Sequence, residues 1–383
     1  MTFQVPDHIR PLRDRVYRFM TERVEPNEAL LHRGGPDAEA LVALLQDEAK
    51  AQGLWALGHP AELGGGGLPF LDYVYINEVQ GRSEFGQLAL GTWTLQDSIM
   101  LNKHASQRWR DAYLKPLVAG EISPSFAMTE PDVAGSDPTG LQTTARLEGG
   151  EWVINGRKWF TTGAAKAAYT TVMCRTETDA APHASFSMIV VPTDTPGYTV
   201  ARLEEKMGQH ASDTAQILFD DCRVPAENLL GDEGMGLKIA LSGLEGGRIG
   251  IASQAVGMAR AAFDAALAYS KERRAFGRPI FEHQALQFKL ADMATQIEAA
   301  RQLIWHAAAL KDAGRPCLKE AAMAKLNASE MAERVCSAAI QVFGGYGYVS
   351  DFPVERIYRD VRVCQIYEGT SEVQRILIGR ALA

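Results

Sequence analysis

Apolar residues recur every three to four positions in the first third of the chain. In LRDRVYRFMTERV, Leu12, Val16, Phe19 and Val24 fall near one side of a helix. In DAEALVALLQDEAKAQGL the same spacing joins Leu41, Leu44, Leu45 and Ala49, and Gly53 stands where that helix stops. PAELGGGGLPF interrupts the pattern. Four successive glycines hold no regular element, and without a following Gly-Lys-Ser/Thr the run reads as a tight turn with close backbone packing before it reads as a phosphate loop. From about residue 123 the period shortens to two. SFSMIVVP alternates Phe186, Met188 and Val190, and AQILFDDCRVP alternates Ile217 and Phe219 before a proline. EWVINGRKWFTT predicts two strands joined in a hairpin at Asn155-Gly156, the pair best suited to a type I′ turn. From about residue 236 the helical period returns. Ile251, Ala255, Met258, Ala262 and Ala266 form one stripe, widened by Val256, Ala259, Phe263 and Leu267. Two more long helices end at Gly314/Pro316 and at Gly344-Gly345.

Helices, then strands, then helices predict a mainly α protein with a central β domain. The divisions fall at 1–122 (N-terminal helical domain), 123–235 (middle β domain) and 236–383 (C-terminal helical bundle). Small apolar residues at such density suit helix-on-helix burial. The order argues against a βαβ sheet with a dinucleotide site, and GGYGYVSD lacks the strand–turn–helix setting of such a fingerprint.

A hydrophobic share of 46% over 383 residues supports two or three packed units. The net charge of -8 disfavours a non-specific nucleic-acid surface, although Lys271, Arg273 and Arg274 form a local basic cluster suited to a phosphorylated ligand. The five cysteines are far apart, lack Cys-x-x-Cys spacing and point to a reducing compartment with no disulfide framework or zinc site. No apolar run reaches the roughly 18 residues needed to span a bilayer, and the first 20 residues carry charges throughout. The expected location is the cytoplasm, or the mitochondrial matrix if a transit peptide has been removed.

Four stretches carry candidate chemistry. FAMTEPDVAGSD offers the Thr129 hydroxyl and the accessible backbone of Gly135-Ser136, suited to a heterocycle or an oxyanion; a polar turn capped by Asp132 or Asp137 explains it as well. KWFTTGA sets Trp159 and Phe160 beside Thr161 and Thr162, a surface for a planar ring or a cross-strand aromatic pair. KERRAFGRPIFEHQ presents Arg273, Arg274 and Arg278 either to phosphates or to solvent at a helix end. In QIYEGTSEV, Glu368 follows Ile366 and Tyr367 and precedes Gly369. It is either a first-turn acid of the last helix or a carboxylate kept dry enough to act as a base.

These stretches occur together and in order, with LEGGRIGIASQAVGMAR and QVFGGYGYVSDFPVERIYRDVRV between them, and in this combination the chain resembles the acyl-CoA dehydrogenase family from roughly residue 70 to its end. The resemblance implies an N-terminal helical domain, a middle β-barrel-like domain and a C-terminal four-helix bundle, assembled as a homotetramer. It implies FAD between the β domain and the bundle, held by Phe126, Met128 and Thr129, by Gly135 and Ser136, by Phe160 over the ring and by Thr162 on its N5 side. Arg273, Phe276, Gln284, Gln341, Gly344 and Gly345 are expected to reach a neighbour's FAD, and Thr370 and Glu372 its phosphates and adenosine. Ser136, Glu245, Arg248 and Gly369 are expected on the acyl-CoA. The implied reaction forms a trans-2-enoyl-CoA. Glu368 takes the α-proton, flavin N5 takes the β-hydride, the Glu368 N–H and a ribitol hydroxyl bind the thioester oxygen, and electrons pass to an electron-transferring flavoprotein. The alternative family position for the base falls on Gly247, which cannot act. One departure is that Thr129 to Asp137 is a residue longer than the usual family loop, so Ser136 faces either FAD phosphate or CoA. A flavin monooxygenase, an acyl-CoA oxidase and a silent helical scaffold are the competing readings. The length, the presence of Glu368 and the lack of a basic extension each weigh against one of them. The segment from Gln87 to Thr94 is the expected pocket floor, and acyl length is not legible.

Overall fold

The computed structural model describes residues 4–176 and 180–382. Its principal N-terminal helices are α1 (Arg10–Phe19), α2 (Glu28–Arg33), α3 (Pro36–Ala51), α4 (Phe70–Gln80) and α5 (Leu95–His104). The strands are β1 (Pro124–Ala127), β2 (Thr144–Glu148), β3 (Glu151–Thr162), β4 (Tyr169–Arg175), β5 (Phe186–Pro192), β6 (Tyr198–Leu203), β7 (Thr214–Pro225) and β8 (Leu229–Leu230). Helices return as α6 (Gly236–Glu272), α7 (Gln284–Asp312), α8 (Leu318–Phe343), α9 (Pro353–Val361) and α10 (Ser371–Arg380). No helix among the described residues is long and apolar enough to cross a membrane.

The apolar stripes face inward. Val16, Phe19, Val24, Leu45 and Ala49 are buried, but Leu44 is 49% exposed. At about 100° per residue it is turned away from Leu45, and the groove receiving α3 takes only the Leu41–Leu45–Ala49 row. The four-glycine run is a packing turn. A Cβ on Gly65 would lie 2.4 Å from the His59 carbonyl oxygen, and one on Gly66 would lie 2.7 Å from the Leu57 Cα. Helices α6, α7 and α8 pack against one another, and α4 packs on α6 and α7. Both ends of the chain therefore share one core, with Ile76, Val79, Val256, Ala259, Ile297 and Ala332 inside it.

The strands form one mixed sheet in the order β6-β7-β3-β2-β4-β5-β8, and β1 pairs in parallel with β4. On β5, Ile189 and Val191 point into the sheet's own core, whereas Phe186, Met188 and Val190 point to a second core shared with Leu101 of α5. The alternation is present, and both faces are covered. Strands β1 and β2 lie beside successive lengths of β4, Phe126 opposite Thr171 and Thr144 opposite Arg175. Residues 128–143 must therefore leave the sheet and return. Buried Lys158 of β3 pins that excursion, its Nζ donating to the Met128 carbonyl at 2.9 Å and to the Glu130 carboxylate at 2.8 Å.

The predicted hairpin at Asn155-Gly156 is corrected. Glu151 to Thr162 is one strand, and the true turn is Gly149-Gly150, with φ of +61° and +89° and Glu148 paired to Glu151. Asn155-Gly156 is a bulge, marked by a register shift against β7. The Asn155 amide donates to the Asp221 carboxylate at 2.9 Å and accepts the Asp221 N–H at 2.9 Å. A Cβ on Gly156 would lie 2.6 Å from the Thr143 Oγ1. The Asn-Gly pair is permissive to unusual backbone, and here neighbouring strands use that freedom for a bend.

Candidate active site

Glu368 lies in a turn between Gln365 and the start of α10. Its φ is +54° and that of Gly369 is +88°. A non-glycine residue in this region costs on the order of 1–2 kcal/mol, so the surroundings must impose the turn. Two buried side chains hold its carbonyls. Lys325 Nζ donates to the Gly369 oxygen at 2.7 Å, and Gln374 Nε2 donates to it at 2.8 Å and to the Glu368 oxygen at 3.2 Å. Helix α10 is capped by the Thr370 hydroxyl, which accepts the Val373 N–H at 3.3 Å. Glu368 is therefore not the capping acid.

The Glu368 residue is partly accessible, but its Oε2 is out of solvent and without a hydrogen-bond partner. Its backbone N–H also bonds no group among the described residues. Burial raises the carboxyl pKa, while Arg248 and Lys325 pull it back. The result is a carboxylate that is desolvated and yet faced by cations, its pKa held above the ordinary carboxylate value, which makes it a stronger base. Arg248 is itself buried and its Nε has no partner; burial lowers its pKa, with Glu368 and Glu245 opposing. The Glu245 carboxylate accepts the Cys317 thiol at 3.6 Å. A Cβ on Gly247 would stand 2.7 Å from Glu368 Oε2 and 2.6 Å from Gln96 Nε2, so α5 and the Glu368 turn meet over this glycine. One turn along α6, a Cβ on Gly250 would meet nothing within 4 Å.

The middle-domain candidates come together on β1 and β3. The Trp159 N–H donates to the Thr129 carbonyl at 2.8 Å, which sets Phe126, Met128 and Thr129 alongside Phe160 and Thr162. Phe160 sits at a bulge with φ of +55°, is 59% exposed and stacks on Trp159 with ring centroids 5.0 Å apart. Phe126 is 36% exposed. Gly135 and Ser136 lie exposed on the excursion from the sheet. There Asp137 accepts the Thr139 N–H at 3.2 Å and Asp132 pairs with Arg157 at 2.5 Å, so both acids serve the loop itself. Bare aromatic faces next to a hydroxyl and open backbone fit a planar heterocycle such as the isoalloxazine of FAD.

A second group stands apart. Arg273 and Phe276 lie about 25 residues beyond Arg248, which along α6 is about 37 Å. The Arg273 guanidinium lies 5.2 Å from the Tyr346 ring centre. Tyr269, Arg273, Gly344 and Gly345 line a cleft of about 490 Å³. Phe276 is 95% exposed with φ of +52°. Gln284 starts α7 and Gln341 lies in the last turn of α8. These residues do not meet Glu368 within one chain. Thr370 and Glu372 adjoin the Glu368 turn, but Thr370 is occupied as a cap.

A shielded carboxylate beside a free N–H, together with an aromatic platform on the middle sheet, is an arrangement suited to acid–base chemistry beside a flat redox group. The family models described as acyl-CoA dehydrogenase N-terminal, middle and C-terminal domains match residues 6–121, 125–222 and 234–383. The human mitochondrial short-chain specific acyl-CoA dehydrogenase is 46% identical over 330 residues, covering 85% of this chain and 79% of its own. The structure of butyryl-CoA dehydrogenase from Megasphaera elsdenii is 37% identical, with a TM-score of 0.90 and all of both chains covered. A chain from a structure described as an electron transferring flavoprotein of Acidaminococcus fermentans is 38% identical, with a TM-score of 0.90, covering 100% of this chain and 99% of that one. The chain belongs to the acyl-CoA dehydrogenase family. It is an FAD-dependent oxidoreductase that converts an acyl-CoA to the 2-enoyl-CoA.

Sequence reading did not single out Lys325, Gln374 or Gln96. Lys325 left a signal, a basic residue set among Ala321, Ala322, Ala324 and Ala328. Gln374 and Gln96 left none, since a polar residue on a short helix ordinarily faces solvent.

Proposed function

We propose that Glu368 is the base that removes the α-proton of the acyl thioester. The observation carrying this is the Glu368 Oε2, buried and unpaired beside its own unpaired N–H. Proton transfer from carbon needs a base lifted out of water and a donor for the oxygen that gains charge as the proton leaves. The left-handed turn supplies both from one residue. Arg248 keeps the carboxylate ionised before reaction and offers its unpartnered Nε to the substrate side. Gly369 adds no side chain where the thioester passes. FAD, when bound, supplies the acceptor for the β-hydride. Phe126, Met128, Thr129, Phe160 and Thr162 would hold its ring, and Gly135 and Ser136 its polar tail or the CoA.

The second group supports a homotetramer. Arg273, Phe276, Gln284, Gln341, Gly344 and Gly345, at the far ends of α6 and α8 and the start of α7, lie too far from Glu368 to serve the same chain's cofactor and fit the FAD of a neighbour. The reading also takes the electron acceptor to be an electron-transferring flavoprotein, which the Acidaminococcus relative supports, and the substrate to be short-chain, as the names of the human and Megasphaera relatives suggest. The domain division at 122/123 and 235/236 is part of it.

Glu368→Gln tests the base. The variant is expected to keep FAD and lose acyl-CoA-driven bleaching by about 10²–10⁴-fold in anaerobic mixing with butyryl-CoA; bleaching at the parent rate would remove Glu368 from the mechanism.

A further inference from the structure

Lys325 is the charged member of a small, apolar face of α8, where Ala321, Ala322, Ala324, Ala328 and Met331 are buried with it. It is fully buried itself. Its Nζ bonds the Gly369 carbonyl at 2.7 Å, and it forms no ion pair among the described residues. A buried ammonium is ordinarily tied to a carboxylate. This one is tied to a backbone oxygen, directly behind the residue proposed as the base.

We infer that Lys325 is a positioning residue for proton abstraction: through the Gly369 carbonyl it locks the left-handed Glu368–Gly369 turn, and it sets a fixed positive charge behind the Glu368 carboxylate. The turn is what directs the Glu368 N–H and carboxylate away from the chain's own partners. Gln374 grips the same carbonyl from α10, but only Lys325 brings charge. The groups acting on Glu368 are Arg248 from α6 and Lys325 from α8, with Tyr367 beside it in its own segment and Cys364 acting through Lys325 and Tyr367. Glu372 lies in the first turn of α10, and Glu245 acts through Arg248. Gln96 of α5 is the uncharged neighbour. Both cations lower the Glu368 pKa against the upward push of burial. Burial in turn lowers the Lys325 pKa to about 8, so the charge behind the base is present at neutral pH and fades as the solution becomes alkaline.

This inference rests on Glu368 being the base. The test uses FAD-loaded enzyme and three variants: Lys325→Met, which removes donor and charge; Lys325→Gln, which keeps a donor without charge; and Glu368→Gln as control. The acid limb of kcat/KM for butyryl-CoA is measured. So is the pH at which a 3-thiaacyl-CoA, which can lose its α-proton but not complete the reaction, gives its long-wavelength band with the flavin. Loss of Lys325 is expected to move both midpoints upward by about one pH unit, with a larger rate loss in the Met variant than in the Gln variant. Midpoints that overlay the parent in a variant retaining flavin overturn the inference. If the Met variant does not fold, the Gln variant decides, because the charge alone sets the shift. Parent-like bleaching in Glu368→Gln would bring down both readings, whereas an inactive Glu368→Gln with unmoved Lys325 profiles would bring down only this one.

Discussion

The carboxylate of Glu368 rests against the bare Cα of Gly247, so close that a single methyl group there would stand 2.7 Å from Oε2. The two residues are 121 positions apart in sequence and share one small volume about three turns into α6. Glu368 can lie over the helix because position 247 has no side chain. The position that cannot act as a base is the one that makes room for the carboxylate proposed as the base.

Gly247→Ala follows directly. Both contacted atoms, Glu368 Oε2 and Gln96 Nε2, are ends of flexible side chains, so the fold and flavin content should be kept. The base should be displaced by a few tenths of an ångström to an ångström, and kcat/KM should fall by about tenfold to a hundredfold. Steady-state kinetics beside a thermal melt checks this; unchanged kinetics would show that the glycine is not spacing the base.

Gly369→Ala should cost stability as well as rate. The glycine has φ of +88°, and an added Cβ would lie 2.7 Å from Gln374 Nε2. A left-handed alanine costs about 1–2 kcal/mol, and the displaced Gln374 loosens the turn further. Urea titration should show a midpoint decrease at constant slope.

Lys158→Met should be among the more damaging substitutions in the sheet. Lys158 is fully buried and pairs with Glu130, whose carboxylate also accepts the Gln142 and Thr143 N–H groups at 2.6 and 2.9 Å. Removing the cation leaves a buried carboxylate alone, a loss of about 3–5 kcal/mol. It also frees residues 128–143, so flavin retention should weaken with stability. Equilibrium unfolding and the absorbance ratio of flavin to protein measure the two effects.

Stability should depend on pH through the junction of the three parts of the fold. His32 Nε2 lies 3.0 Å from the Glu84 carboxylate, whose other oxygen accepts the Ala211 N–H at 2.8 Å, and Asp360 accepts the Gln209 N–H at 2.6 Å. Burial lowers the His32 pKa to about 4 and raises that of Glu84 to about 8. The unfolded chain therefore binds more protons at His32 between about pH 4 and 6.5, and the His32 contribution to stability falls on acidification through that window. The folded chain holds a proton at Glu84 between about pH 4.5 and 8, so that contribution is lost as pH rises toward 8. Between about pH 4.5 and 6.5 the two contributions oppose each other, so Glu84→Gln should flatten a melting-temperature profile above about pH 6.5 and steepen its fall on the acid side; a profile parallel to the parent's would remove Glu84 as the cause.

Much of the architecture was legible because it rests on local repetition. The stripe through Ala255, Met258 and Ala262 needs a period near 3.6, and the alternation through Phe186, Met188 and Val190 needs a period of two; each is satisfied only by one kind of element. The helix stops at Gly53 and Gly344 were legible for a similar reason, since both have positive φ. Asn155-Gly156 misled because its signal is for unusual backbone, which a bulge uses as readily as a turn. Leu44 misled because a stripe shows which residues are apolar, not how wide the receiving groove is.

The chain's order of residues by itself determined the succession of helices, strands and helices and the presence of an acid flanked by Tyr367 and Gly369. It did not determine whether that acid was dry, aimed or paired. Those properties came from α5, α6 and α8, which bring Gln96, Gly247, Arg248 and Lys325 from far along the chain. Periodicity is a property of neighbours in sequence and can be read there. Desolvation and the field at a carboxylate are sums over neighbours in space, and only the packed fold brings those neighbours together.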